Sequence, residues 1–149
     1  MKKIAICLVA CACLAMSSFA QSAEEIPTWI KNSIIILSEQ AYGSPKTIGD
    51  LFGGKRDSLT TTKITYSDKE FVITNMMGDE SFYFMKMKIT FVMTKMGNAG
   101  TCWPSNVLVE SPLTGQTINK TCYGSPYDNP RAYGEIMGLI ASGLDTFYE

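Results

Sequence analysis

The chain has 149 residues, of which 46% are hydrophobic and 18% charged, with 13 basic against 14 acidic side chains and no histidine. The missing histidine excludes Ser/His/Asp and Cys/His catalysis, imidazole acid–base chemistry and His-ligated zinc together. A near-neutral balance without a basic patch also argues against nucleic acid as a partner.

Residues 1–20 carry the three parts of a secretory signal: Lys2 and Lys3, an apolar run from Ile4 to Met16, and the small-residue exit Ser18-Phe19-Ala20. The mature chain is therefore expected to begin near Gln21, with residues 21–149 forming one α+β domain. Leu8-Val9-Ala10-Cys11 also has the form of a lipoprotein box, but it leaves only the short run from Ile4 to Ala10 before the cut, so cleavage after Ala20 is the reading adopted. The apolar run falls short of the ~20 residues of a spanning helix, so no stable membrane anchor is expected once the signal is removed. The lysine pair and short apolar core read as bacterial, which makes the periplasm the expected compartment and extracellular release the alternative. Losing Lys2 and Lys3 leaves eleven basic side chains against 14 acidic ones. The remaining ~129 residues are enough for one ordinary core.

Pro27 stands where a first helical turn would begin, and Ile30, Ile34, Leu37 and Ala41 follow at helical spacing, so a helix is predicted over 27–42. Ser44-Pro45 repeats the cap-plus-proline signal and predicts a short second helix over 46–52, stopped by Gly53-Gly54. From Leu59 the period changes to two. Strands are predicted over 60–66 and 70–77, and the clearest one places Tyr83, Met85, Met87, Ile89, Phe91 and Met93 on one face, with Lys86, Lys88, Thr90 and Thr94 on the other. Phe82, Phe84 and Val92 interrupt that polar side. Two more strands flank the turn signal Ser111-Pro112-Leu113-Thr114-Gly115. Asp128-Asn129-Pro130 then opens a final helix over 131–147, whose Gly134 and Gly138, four apart, predict close backbone approach to a neighbour. The expected architecture is a five-stranded, mostly antiparallel meander with its helices on one sheet face.

Cys7, Cys11 and Cys13 leave with the signal, so Cys102 and Cys122 remain as a pair in an oxidising compartment. A hairpin centred near Pro112 places them opposite one another, predicting a disulfide that contributes about 3 kcal/mol. Such a bond would gather Trp103, Tyr123 and Tyr127 at one end of the sheet, with Asn98, Asp128 and Arg131 at its border. These residue types dominate protein interfaces, so the six form the candidate partner-binding surface. In the competing structural reading, Trp103 covers the disulfide and Tyr123 packs on the last helix.

Six methionines fall between Met76 and Met96. Thioethers can bind copper(I), but strand alternation already accounts for these, so no metal or cofactor is expected. The carboxylate pairs Glu24-Glu25 and Asp79-Glu80 lie in the ragged start and a turn, which is no setting for a general acid and base, and no catalytic residue is expected. The sequon Asn119-Lys120-Thr121 lies in a predicted strand of a bacterial-type chain and is discounted. The expected function is a non-enzymatic binding protein whose partner is another periplasmic or secreted protein, as an inhibitor, an immunity factor or an accessory of envelope secretion or assembly. The alternative is a carrier of a small apolar ligand in a cavity lined by methionine and aromatic side chains; a carboxylate hydrolase ranks below both.

Overall fold

The computed structural model describes residues 26–36, 45–52 and 59–147. The predicted signal segment over 1–20, which includes Cys11, and the predicted start at Gln21 lie outside these residues. The elements are a single helical turn α1 (Thr28–Lys31), β1 (Ile34–Ile35), a 3-10 turn (Gly49–Phe52), β2 (Thr60–Tyr66), β3 (Glu70–Gly78), β4 (Tyr83–Met96), β5 (Ala99–Ser111), β6 (Gln116–Thr121) and α2 (Pro130–Phe147). They build an α+β fold with one mixed sheet of six strands, ordered β1-β5-β4-β3-β2, and β6 on β5. The long C-terminal helix packs on one side of it. Every pairing is antiparallel except the short parallel contact of β1 with β5.

The predicted helix over 27–42 is corrected. Its helical part ends at Lys31, and the chain turns at Asn32 into a strand. The run Ile34-Ile35-Ile36 explains this, because β-branched side chains lose rotamer freedom in a helix and fit a pleated surface. Burial follows period two: Ile35 is 1% exposed and Ile34 is 53% exposed. Ile36 donates its amide to Cys102 O, continuing the contact with β5. Residues 37–42 of the predicted helix lie outside the described residues. The short second helix survives as the 3-10 turn, started by a reciprocal cap: Thr47 Oγ1 accepts the Asp50 amide, and Asp50 Oδ2 accepts the amides of Thr47 and Lys46.

β4 lies at the centre, between β3 and β5. Its buried side chains Met87, Ile89, Phe91 and Met93 alternate without a break, as its sequence requires. β5 behaves differently. Gly100, Cys102 and Pro104 point to the core, but so does Val107, an odd number of residues further on. A bulge between the Thr90–Asn106 and Phe91–Pro104 pairs absorbs Ser105 and reverses the facing of the strand. Pro104 can sit inside a strand because the ladder is interrupted there. The bulged residue is tied on both sides: Ser105 Oγ donates to Thr90 O, and Ser105 O accepts the Cys122 amide.

Asn129 caps α2 by accepting the Ala132 amide on Oδ1, with Pro130 in the first helical position. The helix buries Tyr133, Ile136, Met137, Ile140 and Phe147. At about 1.5–3 kcal/mol for each large apolar side chain, this outweighs the roughly 1 kcal/mol that each of three glycines costs in propensity. The Tyr133 hydroxyl donates to Ile36 O, joining the helix to the segment after β1. The expected role of Gly134 and Gly138 is corrected: a Cβ at either would meet nothing within 4 Å, because both face outward. The close approach is at Gly143, where a Cβ would run into the Met87 thioether. Gly134→Ala and Gly138→Ala are therefore expected to raise stability by up to about 1 kcal/mol each. Gly143→Ala is expected to lose that gain to overpacking, with a net change between zero and a loss of about 2 kcal/mol. Urea unfolding of the three variants checks the contrast, which would be refuted if Gly143→Ala were stabilised as much as the others.

Candidate functional site

The predicted disulfide is corrected first, because the expected site was built on it. Cys102 and Cys122 are both free and buried thiols. The hairpin turns over Pro112–Gly115, with Ser111 paired to Gln116, so its centre falls beyond Leu113 rather than at Pro112. Gly115, at φ 69°, takes the left-handed position that closes this turn. In that register the Cys122 amide meets Ser105, while Cys102 lies further along β5, opposite Met93 of β4 and Ile35 of β1. Burial pushes the Cys102 thiol up to about 12. Burial, and then the nearby Asp128 carboxylate, raise that of Cys122. The Tyr133 phenol is raised as well, mainly by burial.

The segment joining β6 to α2 holds three of the six predicted site residues, Tyr123, Tyr127 and Asp128, and a fourth, Arg131, follows in the first turn of α2. Pro126 is buried and plugs the loop into the body of the protein. Asp128 Oδ2 accepts from the Ser125 amide at 3.0 Å and from the Ser125 hydroxyl at 2.9 Å, and the Asp128 amide donates back to Ser125 O. These bonds, the backbone one first, hold the Asp128 carboxyl below the usual range. Gly124, at φ 81°, supplies a left-handed turn that a side chain would strain. From this tied loop Tyr123 and Tyr127 stand out, 78% and 68% exposed. Arg131 projects from the first turn of α2, beside Glu135, which also meets Lys120.

The other two candidates are placed elsewhere. Trp103 lies on β5 opposite Val92 and is half-buried against the core. Asn98 sits in the β4–β5 turn, on a hollow of about 460 Å³ shared with Trp29 and Lys95, whose ammonium lies 5.3 Å from the indole centroid. Asp128 is occupied by its own loop. Tyr123, Tyr127 and Arg131 are left as the exposed, uncommitted members of the predicted set at this end, with Asn98 exposed but apart from them.

The sequence reading missed the outer sheet face as a site. There β2 to β5 form a hollow of about 650 Å³, lined by Lys63, Lys86 and Lys88, by Glu70, Glu80 and Glu110, and by threonines. Lys63 is bonded to Glu80. Lys86 meets Glu110 at 2.8 Å and lies over the Tyr83 ring, 4.7 Å from its centroid. The bond with Glu110 raises the Lys86 ammonium, and the same bond lowers the Glu110 carboxyl. The alternation Lys86-Lys88-Thr90 was visible in the sequence, but the rows that join it to Lys63 and Thr74 depend on strand register. Among the described residues, no three His, Cys, Asp or Glu side chains are grouped to hold a metal ion.

Comparison of the chain with protein-family models, with curated proteins and with solved structures found no match.

The thiols generate a pH prediction. A free thiol near 9.0 in the unfolded chain and near 12 in the native one keeps its proton more tightly when folded. The resulting contribution to stability is complete below pH 9 and declines as the pH rises from there towards 12, with Cys122 and Tyr133 acting in the same direction. Urea midpoints measured at increasing alkaline pH should fall more steeply for the wild type than for Cys102→Ala. In denaturant without reductant, alkylation should label both Cys102 and Cys122. An unlabelled pair would refute the free-thiol state.

Proposed function

We propose that the mature protein is a non-enzymatic, periplasmic or secreted binding protein that recognises another protein through the loop from Tyr123 to Arg131. The observation that carries this reading is the pair Tyr123 and Tyr127, mostly exposed on a loop whose backbone is already fixed by Pro126 and the Ser125–Asp128 bonds. Single exposed apolar groups are ordinary, but two tyrosines on a fixed turn with an arginine nearby have the composition of an interface anchor. Tyrosine offers a large contact area for the loss of few rotamers, and a rigid loop has little ordering entropy left to lose on binding. An inhibitor or immunity factor, or an accessory of envelope assembly, would use such a surface.

The apolar-carrier alternative draws little support from the methionines. Met87 and Met93 are buried among core side chains, and Met87 packs on Gly143. The large hollow is mixed instead, with Val72, Met76 and Leu108 set among three lysines, three glutamates and threonines.

The test is crosslinked capture of the tagged mature protein in its native envelope, with the Tyr123→Ala/Tyr127→Ala variant and a Phe82→Ala control. Phe82 is 60% exposed and belongs to a different loop. One stoichiometric protein is expected with the wild type and the control. The double variant should bind it at least thirtyfold more weakly, corresponding to about 2 kcal/mol, while its own stability stays within about 0.5 kcal/mol of wild type. Capture unchanged in the double variant would overturn the reading.

A further inference from the structure

We propose that the hollow on the outer sheet face is a binding site for a small molecule carrying a tetrahedral oxyanion, a phosphate or sulfate group, held at Lys88. The site is separate from the tyrosine loop and does not depend on it. The argument starts from which charges in the hollow are already satisfied. Lys63 is taken by Glu80, and Lys86 by Glu110. Lys88 lines the same hollow and makes no ion pair or side-chain hydrogen bond with any described residue.

Strand register surrounds Lys88 with hydroxyls. Thr74 is directly opposite it on β3, with Lys63 beyond Thr74 on β2. Thr90 is the next residue on the same face of β4, and it shares a row with Val72 and Thr65. The hydroxyls of Thr65, Thr74 and Thr90 also line the hollow and make no hydrogen bond to a described residue. One ammonium and three hydroxyls are thus free to donate from the floor and wall of one concavity.

The donor chemistry selects the ligand class. A planar carboxylate is best met by the bidentate fork of arginine, and no arginine lines the hollow. Lysine is a compact point charge with rotatable donors, and with hydroxyls on neighbouring strands of the same face it suits an anion whose oxygens are spread in three dimensions. Glu70 is the acid of the hollow without a cation partner, but it lies four residues from Thr74 on β3, about 13 Å along the strand. It stands two residues from Val72, which is opposite Thr90, so the anion is expected on the Thr74 side of Lys88, away from that carboxylate. The paired carboxylates of Glu80 and Glu110 are neutralised locally by their lysines.

The test is an amide NMR titration of the isotope-labelled mature protein with inorganic phosphate, inorganic sulfate and chloride at matched ionic strength. Saturable shifts confined to the amides around Thr65, Thr74, Lys88 and Thr90 are expected with at least one tetrahedral anion and not with chloride. A response to phosphate alone assigns the ligand to phosphate esters, and a response to sulfate alone assigns it to sulfate esters. Lys88→Gln should weaken binding about tenfold, the order expected for a hydrogen bond to a charged group. Lys95→Gln, on the same strand but outside the hollow, should leave the binding midpoint unchanged. The proposal is overturned by shifts that do not saturate, by an equal chloride response, or by a midpoint that Lys88→Gln does not move.

Discussion

The bulge at Ser105 is the constraint on which the arrangement of the sheet depends. β4 keeps one face in the core along its whole length, and β5 must pair with it while its own apolar residues change parity between Cys102 and Val107. Without an extra residue, one half of β5 would turn Cys102 and Pro104, or Val107, towards water, since a slip of one position exchanges the two faces of a strand. The sheet absorbs the extra residue where proline has already removed an amide donor, and Ser105 returns a hydroxyl to Thr90 of β4 and a carbonyl to Cys122 just past β6. That single adjustment puts Val107 under α2, keeps Leu108 and Glu110 on the outer hollow, and leaves Cys102 next to β1.

Much of the sheet was legible because its alternation is strong and its turns are short. The strand over 60–66 and the final helix beginning at Asn129-Pro130 carry local signals that agree with their tertiary setting. The failures have physical causes. Isoleucines at helical spacing also fit a strand, and the parallel contact of β1 with β5 decided the matter, which a local pattern cannot reveal. The cysteine pairing failed on hairpin register. Displacing the turn centre past Leu113 moves Cys122 to Ser105, and a bulge further along β5 shifts the facing again. Of the candidate site, the exposed tyrosines were legible from composition, while the outer hollow was not, because it gathers residues from four strands that only the register brings into rows.

The two faces of the sheet therefore have different chemistry. The covered face is filled by Ile64, Phe71, Ile73, Ile89 and Phe91, with one buried polar contact in which Thr62 Oγ1 donates to Asn75 Oδ1 at 2.7 Å. The bond meets one polar group of each side chain, whereas either partner alone would leave that group unmet in the core. The outer face retains its lysines and threonines, and no helix among the described residues covers it. Its exposed ion pairs contribute little to stability. Their effect is to neutralise most of the charge there and to leave Lys88 distinct among the lysines.

The cover on the apolar face comes last. Ribosomes deliver a chain from its N-terminus, so all six strands emerge before α2, and the greasy side of the sheet has only the partial cover of Ile26, Ile30, Ile48 and Leu51 until α2 is available. During delivery this protein therefore presents the kind of surface that holdase chaperones bind, and a nascent chain halted before Pro130 would be a substrate for quality control rather than a smaller folded domain.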